Sequence, residues 1–157
     1  MRIALEPARQ PEVVRLVQAL DAYQLPLYPP TSFHGIDFDA LSQPNVLFAV
    51  ARDEGGAAIG CGAIVLEAAW GELKRMYTQP QARGRGVARA LLAFLEAEAM
   101  QRGCDCFHLE TGYLQHEALR LYERCGYVRC GPFGSYTDDP HSVFMRKAAA
   151  PRAPTKE

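Results

Sequence analysis

No run of residues in this chain is long and apolar enough to span a bilayer as a helix. The first residues, Met1-Arg-Ile-Ala-Leu-Glu-Pro7, have none of the apolar core of an export signal. A cytoplasmic protein with no membrane partner is expected. An excess of one charge is also missing: 17 Lys and Arg stand against 18 Asp and Glu, for a net charge of -1. That balance gives no basic surplus to suggest a general nucleic-acid binder. Five cysteines are an odd number, and no two of them make a Cys-x-x-Cys pair, so neither a zinc site nor a disulfide framework is indicated. Reduced thiols are the expectation. No internal repeat is visible.

The chain does have enough apolar residues for a core. At 157 residues, 48% hydrophobic and 22% charged, it is expected to fold as one domain over residues 1–147, with 148–157 as a frayed tail. Val13, Leu16, Val17 and Leu20 recur at helical spacing behind Pro11. Residues 25–39 mix prolines with Tyr28, Phe33, His34 and Phe38, which suits a lid or pocket wall. Strands are predicted over 45–52, 57–66 and 72–78, the first two joined by the turn Asp53-Glu-Gly-Gly56. Gly60 and Gly62 hint at a bulge or a close approach. A helix over 87–101 closed by Gly103, a strand over 106–110, a helix ended by Gly126 and two last strands complete the order. Leu114, Ala118, Leu121 and Cys125 mark the expected buried stripe of the second long helix. Hairpins followed by a β-α-β crossover predict a mixed sheet flanked by helices, an α/β fold.

One stretch carries chemistry. Between the strand at 72–78 and the helix from 87 lies Gln81-Ala-Arg83-Gly84-Arg85-Gly86-Val87-Ala88. Glycines there let the backbone turn tightly, and the helix start offers unpaired N–H groups and a positive dipole end to an anion. Several phosphate binders share such a loop. Arg89 stands where a dinucleotide fingerprint needs its third glycine, no G-x-x-x-x-G-K-[ST] is present, and His116-Glu117 lacks the second histidine of a zinc-protease helix.

The loop matches the Q/R-x-x-G-x-G/A pattern of the GCN5-related N-acetyltransferase superfamily. Leu109-Glu110 through Leu121-Tyr122 to Gly126-Tyr127 resembles that family's later strand, polar helix opening and L-Y-x-x-x-G-[FY] ending. The resemblance covers nearly the whole chain. It implies an acyl-CoA acyltransferase fold with six to seven mostly antiparallel strands, about four helices and a splayed strand pair. The loops around residues 27–30 and 132–140 look like those of small bacterial acetyltransferases with ill-defined acceptors.

The same resemblance implies acetyl-CoA as co-substrate, with no metal. Arg83, Gly84, Arg85, Gly86, Val87 and Ala88 would hold its pyrophosphate, and Met76, Tyr77 and Thr78 would hold the pantetheine. Gln115 stands where the family often has Asn. Tyr122 would be the general acid. The base is left between Glu110, twelve positions earlier, Glu72, and a water chain. Phe33, His34, Arg75, Phe133 and Tyr136 are expected around the acceptor, a small-molecule, amino-acid or peptide amine. Inward aspartates would favour a cationic acceptor, an inward Arg75 a carboxylate-bearing one. A homodimer is within what the resemblance implies. Two rival functions are a coenzyme-A-responsive module without turnover, and acetylation of charged tRNA, which the charge balance disfavours.

Overall fold

A computed structural model describes residues 1–32 and 36–149. The elements follow the predicted order: β1 (Arg2–Leu5), α1 (Pro11–Gln24), α2 (Phe38–Leu41), β2 (Val46–Arg52), β3 (Ala58–Leu66), β4 (Gly71–Thr78), α3 (Val87–Gln101), β5 (Cys106–Gly112), α4 (His116–Arg124), β6 (Val128–Cys130) and β7 (Ser142–Ala148). The seven strands form one sheet in the order β1-β2-β3-β4-β5-β7-β6. Every neighbouring pair is antiparallel except β4 and β5, which are joined through α3. Among the described residues no helix is long and apolar enough to cross a membrane.

Alternation along the strands builds two cores. Leu47, Ala49 and Ala51 of β2 face α3 with Leu91, Leu92 and Leu95. Phe48 and Val50 face the other way, toward Val13, Leu16 and Val17 of α1. The period-2 strand and the 3.6-period helix each commit one set of positions to each layer. Each fully buried Leu or Val contributes about 1.5–3 kcal/mol. Cys61 sits in the second layer, where burial pushes its thiol up to about 12, so it stays neutral and unreactive.

Two details position the functional site. Between Cys61 and Ala63 of β3 stands one residue, Gly62, while Arg75 and Met76 stand between the corresponding Lys74 and Tyr77 of β4. This two-against-one mismatch is a β-bulge. Arg75 accordingly takes a positive φ of 59°, the left-handed region, at a non-glycine position. A Cβ at Gly62 would overlap the Met76 thioether, which explains the glycine. The bulge puts Lys74 and Arg75 in succession beside one cavity.

The second detail is a correction. The buried residues of α4 are Leu119 and Tyr122; Ala118, Leu121 and Cys125 only flank them, and Leu114 is exposed. The helix starts at His116, past Leu114, and the face it turns to the core is centred on Leu119 and Tyr122. At the other end of the chain, β7 continues through Ala148, and the Ala149 N–H donates to the Asp105 carbonyl (2.7 Å).

Candidate active site

β4 and β5 run as ladder partners for three pairs only, Gly71–Phe107, Glu72–His108 and Leu73–Leu109. Past that point β5 stays with β7 as far as Gly112, and β4 stays with β3 as far as Thr78. The strands therefore part in a V, and the β5-side edge of β4 beyond Leu73 carries no ladder bonds to β5. The bulge at Arg75 bends β4 away at the same place. Met76, Thr111, Gly112, Gln115 and Tyr122 line the V, together with Glu72 and Glu110.

α4 closes one side. The Gln115 side-chain oxygen accepts hydrogen bonds from the Thr111 hydroxyl (3.1 Å) and the Gly112 N–H (3.0 Å), so this residue ties the end of β5 to the start of the helix. Two turns later Tyr122 points at the cleft, 7% exposed. Burial pushes its phenol well above the ordinary tyrosine value, with Cys125 adding to the shift. The Tyr122 carbonyl accepts from the Tyr127 N–H (3.0 Å) across Gly126, whose φ of 96° suits the helix stop.

The two carboxylates have different surroundings. Glu72 Oε2 accepts from the Tyr136 hydroxyl (2.5 Å) and lies 3.3 Å from the Lys74 ammonium, which itself donates to that hydroxyl (2.9 Å). Burial and Glu72 push the Tyr136 phenol up, keeping it a donor. Glu110 Oε1 accepts from the Ser142 hydroxyl (3.0 Å). Arg75, with its side chain 6% exposed, pairs with Asp21 of α1 (2.6 Å) and reaches the Ile36 carbonyl (3.4 Å). Phe133 is set back from the cleft, packed among His108, Tyr136 and Phe144. Phe33 and His34, expected beside the acceptor, lie outside the described residues.

The Leu25–Ser32 loop roofs the cavity through two short 3₁₀ turns. Its Tyr28 ring lies flush on Gly112, where a Cβ would overlap it. Ser32 donates to Asp139 Oδ2 (2.6 Å), and Asp139 Oδ1 accepts from the His141 N–H (2.8 Å), so the first loop is clasped to the late insert. The Ser32 and His141 bonds lower Asp139 to about 2. Replacing Gly112 by Ala is expected to force Tyr28 off β5. Overpacking of this kind typically costs about 1–3 kcal/mol, read as a melting temperature lowered by several degrees and relieved in the double variant Gly112→Ala/Tyr28→Ala.

At the open end, Gly84 (φ 79°) and Gly86 (φ 76°) both take the left-handed conformation, and a Cβ at either would meet no protein atom within 4 Å. Gly86 is the residue before the first turn of α3, and no side chain caps the helix there. Arg83 Nε donates to the Thr78 carbonyl (3.2 Å), holding the loop to the end of β4. The loop is thus a concave run of backbone with a helix dipole behind it, fitted to an anion.

Several working parts carried no motif. Asp21 opposite Arg75, Gly112 beneath Tyr28, and the Ser32–Asp139–His141 clasp each join segments far apart in sequence. One hidden feature did leave a trace: Glu96 interrupts the apolar face formed by Leu92, Leu95 and Ala99, and such an acid is either misplaced or paired.

Comparison with known proteins agrees with this geometry. Residues 13–127 match the profile of the Acetyltransferase (GNAT) family. An IAA acetyltransferase from Azospirillum brasilense is 44% identical over 147 residues, covering 92% of this chain and 95% of its own. The uncharacterised N-acetyltransferase YsnE of Bacillus subtilis is 36% identical, covering 94% and 99%. A Klebsiella pneumoniae crystal structure described as an acyl-CoA N-acyltransferase superposes with a TM-score of 0.79 at 40% identity, covering 95% of this chain and 97% of that one.

Proposed function

The chain belongs to the GNAT acetyltransferase family and is an acyltransferase; from that premise we propose that it moves the acetyl group of acetyl-CoA to the primary amine of a small molecule, by direct attack. The observation that carries this reading is the V between β4 and β5, with Tyr122 and two carboxylates on its walls and the glycine loop at its open end.

The residues present suit that co-substrate. Gly84 to Ala88 would hold the pyrophosphate, because the empty Cβ directions at Gly84 and Gly86 leave room for phosphate oxygens against the backbone. Met76 to Thr78 would bond the pantetheine amides as an added strand would, along an edge that β5 has vacated. Gln115, already bonded to Thr111 and Gly112, would shape the cleft wall. When bound, acetyl-CoA supplies an activated acetyl thioester.

The chain's own part is to bind, orient and move protons. Tyr122 keeps its proton through burial and would hold it at the hydroxyl for the departing thiolate. Glu110, on the cleft wall and hydrogen-bonded to the Ser142 hydroxyl, would take the amine's proton. Glu72 is held in place by Tyr136 and Lys74, which suits it to orienting the acceptor. Both cavity cations have an acid of the chain against them, Lys74 with Glu72 and Arg75 with Asp21. That pairing favours an acceptor recognised by its amine over one captured by a carboxylate.

The deciding experiment is an acceptor screen: free thiol released from acetyl-CoA across amines, amino acids and aminoglycosides, with IAA included because of the A. brasilense relative. Amine-dependent thiol release with a matching N-acetylated product is expected. Binding of acetyl-CoA without thiol release across the whole panel would instead favour a coenzyme-A-responsive module. A separate check addresses the cradle. Gly86→Ala places a side chain in the left-handed region at a cost of roughly 1–2 kcal/mol. Its Cβ also enters the space left for phosphate oxygens, so the acetyl-CoA dissociation constant by titration calorimetry should rise about tenfold, a loss of about 1.4 kcal/mol.

A further inference from the structure

Behind Tyr122 lies a chain of contacts among residues that do not line the cleft. Tyr127, 2% exposed, packs edge-on against Tyr122, with ring centroids 5.9 Å apart at 65°. Its hydroxyl donates to Glu96 Oε2 of α3 (3.4 Å). Glu96, 7% exposed, is held in turn by the Lys147 ammonium of β7 at 2.6 Å and 3.3 Å to its two oxygens. The same ammonium lies 5.7 Å from the centre of the Tyr127 ring. The Lys147 stem passes beside Gly126, whose φ of 96° turns the chain between Tyr122 and Tyr127.

Stability alone does not account for these residues. A buried ion pair can often be exchanged for apolar groups of like volume with no loss of stability, or even a gain. What the pair does provide is direction. A carboxylate gripped by an ammonium has a fixed place, and a tyrosine bonded to it cannot slide or rotate freely. Position matters too. Glu96 lies nine residues along the helix that starts at the glycine loop, about 13 Å at 1.5 Å per residue. The helix that carries the pyrophosphate cradle thus also braces the tyrosine at the reacting end.

We propose that Glu96 and Lys147 are positioning residues for acetyl transfer, acting through Tyr127 to hold the Tyr122 hydroxyl at a fixed point in the cleft. This rests on the reading of Tyr122 as the proton donor. Small displacements of a catalytic group cost rate far more than they cost ligand affinity.

The test compares Glu96→Gln, Tyr122→Phe and the double variant in the full-length protein, with kcat, acetyl-CoA dissociation constant and melting temperature measured for each. Glu96→Gln is expected to lower kcat about tenfold with the acetyl-CoA dissociation constant changed less than twofold. It should lower kcat no further in the Tyr122→Phe background, since coupled residues are not additive. A folded Glu96→Gln with unchanged kcat overturns the proposal. So does a parallel loss of acetyl-CoA affinity, or a full additional tenfold loss on top of Tyr122→Phe. If Glu96→Gln does not fold, Lys147→Gln, at a position whose side chain is 28% exposed, is judged by the same readings. Failure of the underlying acid assignment shows separately, as Tyr122→Phe with wild-type turnover.

Discussion

Tyr122→Phe is expected to lower kcat by about 10²–10⁴-fold, the usual contribution of a well-placed proton donor, with little change in acetyl-CoA affinity. The substitution removes one oxygen and leaves the ring, so the edge-on packing against Tyr127 and the burial of α4 survive. The pH dependence provides an independent check. A general acid works while protonated, so its activity is lost as pH rises through its pKa. Burial holds that pKa above the ordinary tyrosine value. Wild-type turnover should therefore show no alkaline fall from Tyr122 at or below the pH where an exposed tyrosine titrates. Turnover of Tyr122→Phe within threefold of wild type, measured by thiol release under saturating acceptor, would remove Tyr122 from the acid role.

Glu110→Gln should have the next largest effect, a fall of about 10²-fold in kcat/KM for the acceptor. The amide keeps the shape and can still accept from Ser142, but it cannot take a proton from an ammonium. Glu72→Gln should instead raise the acceptor KM with kcat largely kept, because Glu72 is held by Tyr136 and Lys74 and is placed to orient the acceptor. The opposite pattern, with kcat lost in Glu72→Gln and kept in Glu110→Gln, would exchange the roles of the two carboxylates.

How much of this was legible beforehand depends on sequence distance. The glycine loop could be read because its chemistry is local: Gly84, Gly86 and the start of α3 are contiguous, and backbone conformation follows from residue type. Helix α1 could be read because its apolar positions repeat at the helical period, and α3 because a glycine, Gly103, closes it. The stripe on α4 differs because Leu114 lies ahead of the helix and packing, which periodicity alone does not reveal, turns the face centred on Leu119 and Tyr122 to the core. The direction of Arg75 could not be read from the sequence; the fold gives it Asp21, 54 positions away. Asp139 carries no motif of its own; the fold sets it against Ser32, 107 positions away.

The sequence by itself determined the element order, the mixed sheet and the glycine loop ahead of α3, since each follows from residue preferences that act over a few positions. Only the tertiary structure decided where β4 and β5 part, which carboxylate stands beside Ser142 and which beside Lys74, and what braces Tyr122 from behind. Those depend on a bulge that one glycine permits and on side chains brought together by packing, and neither is encoded in any short stretch of the chain.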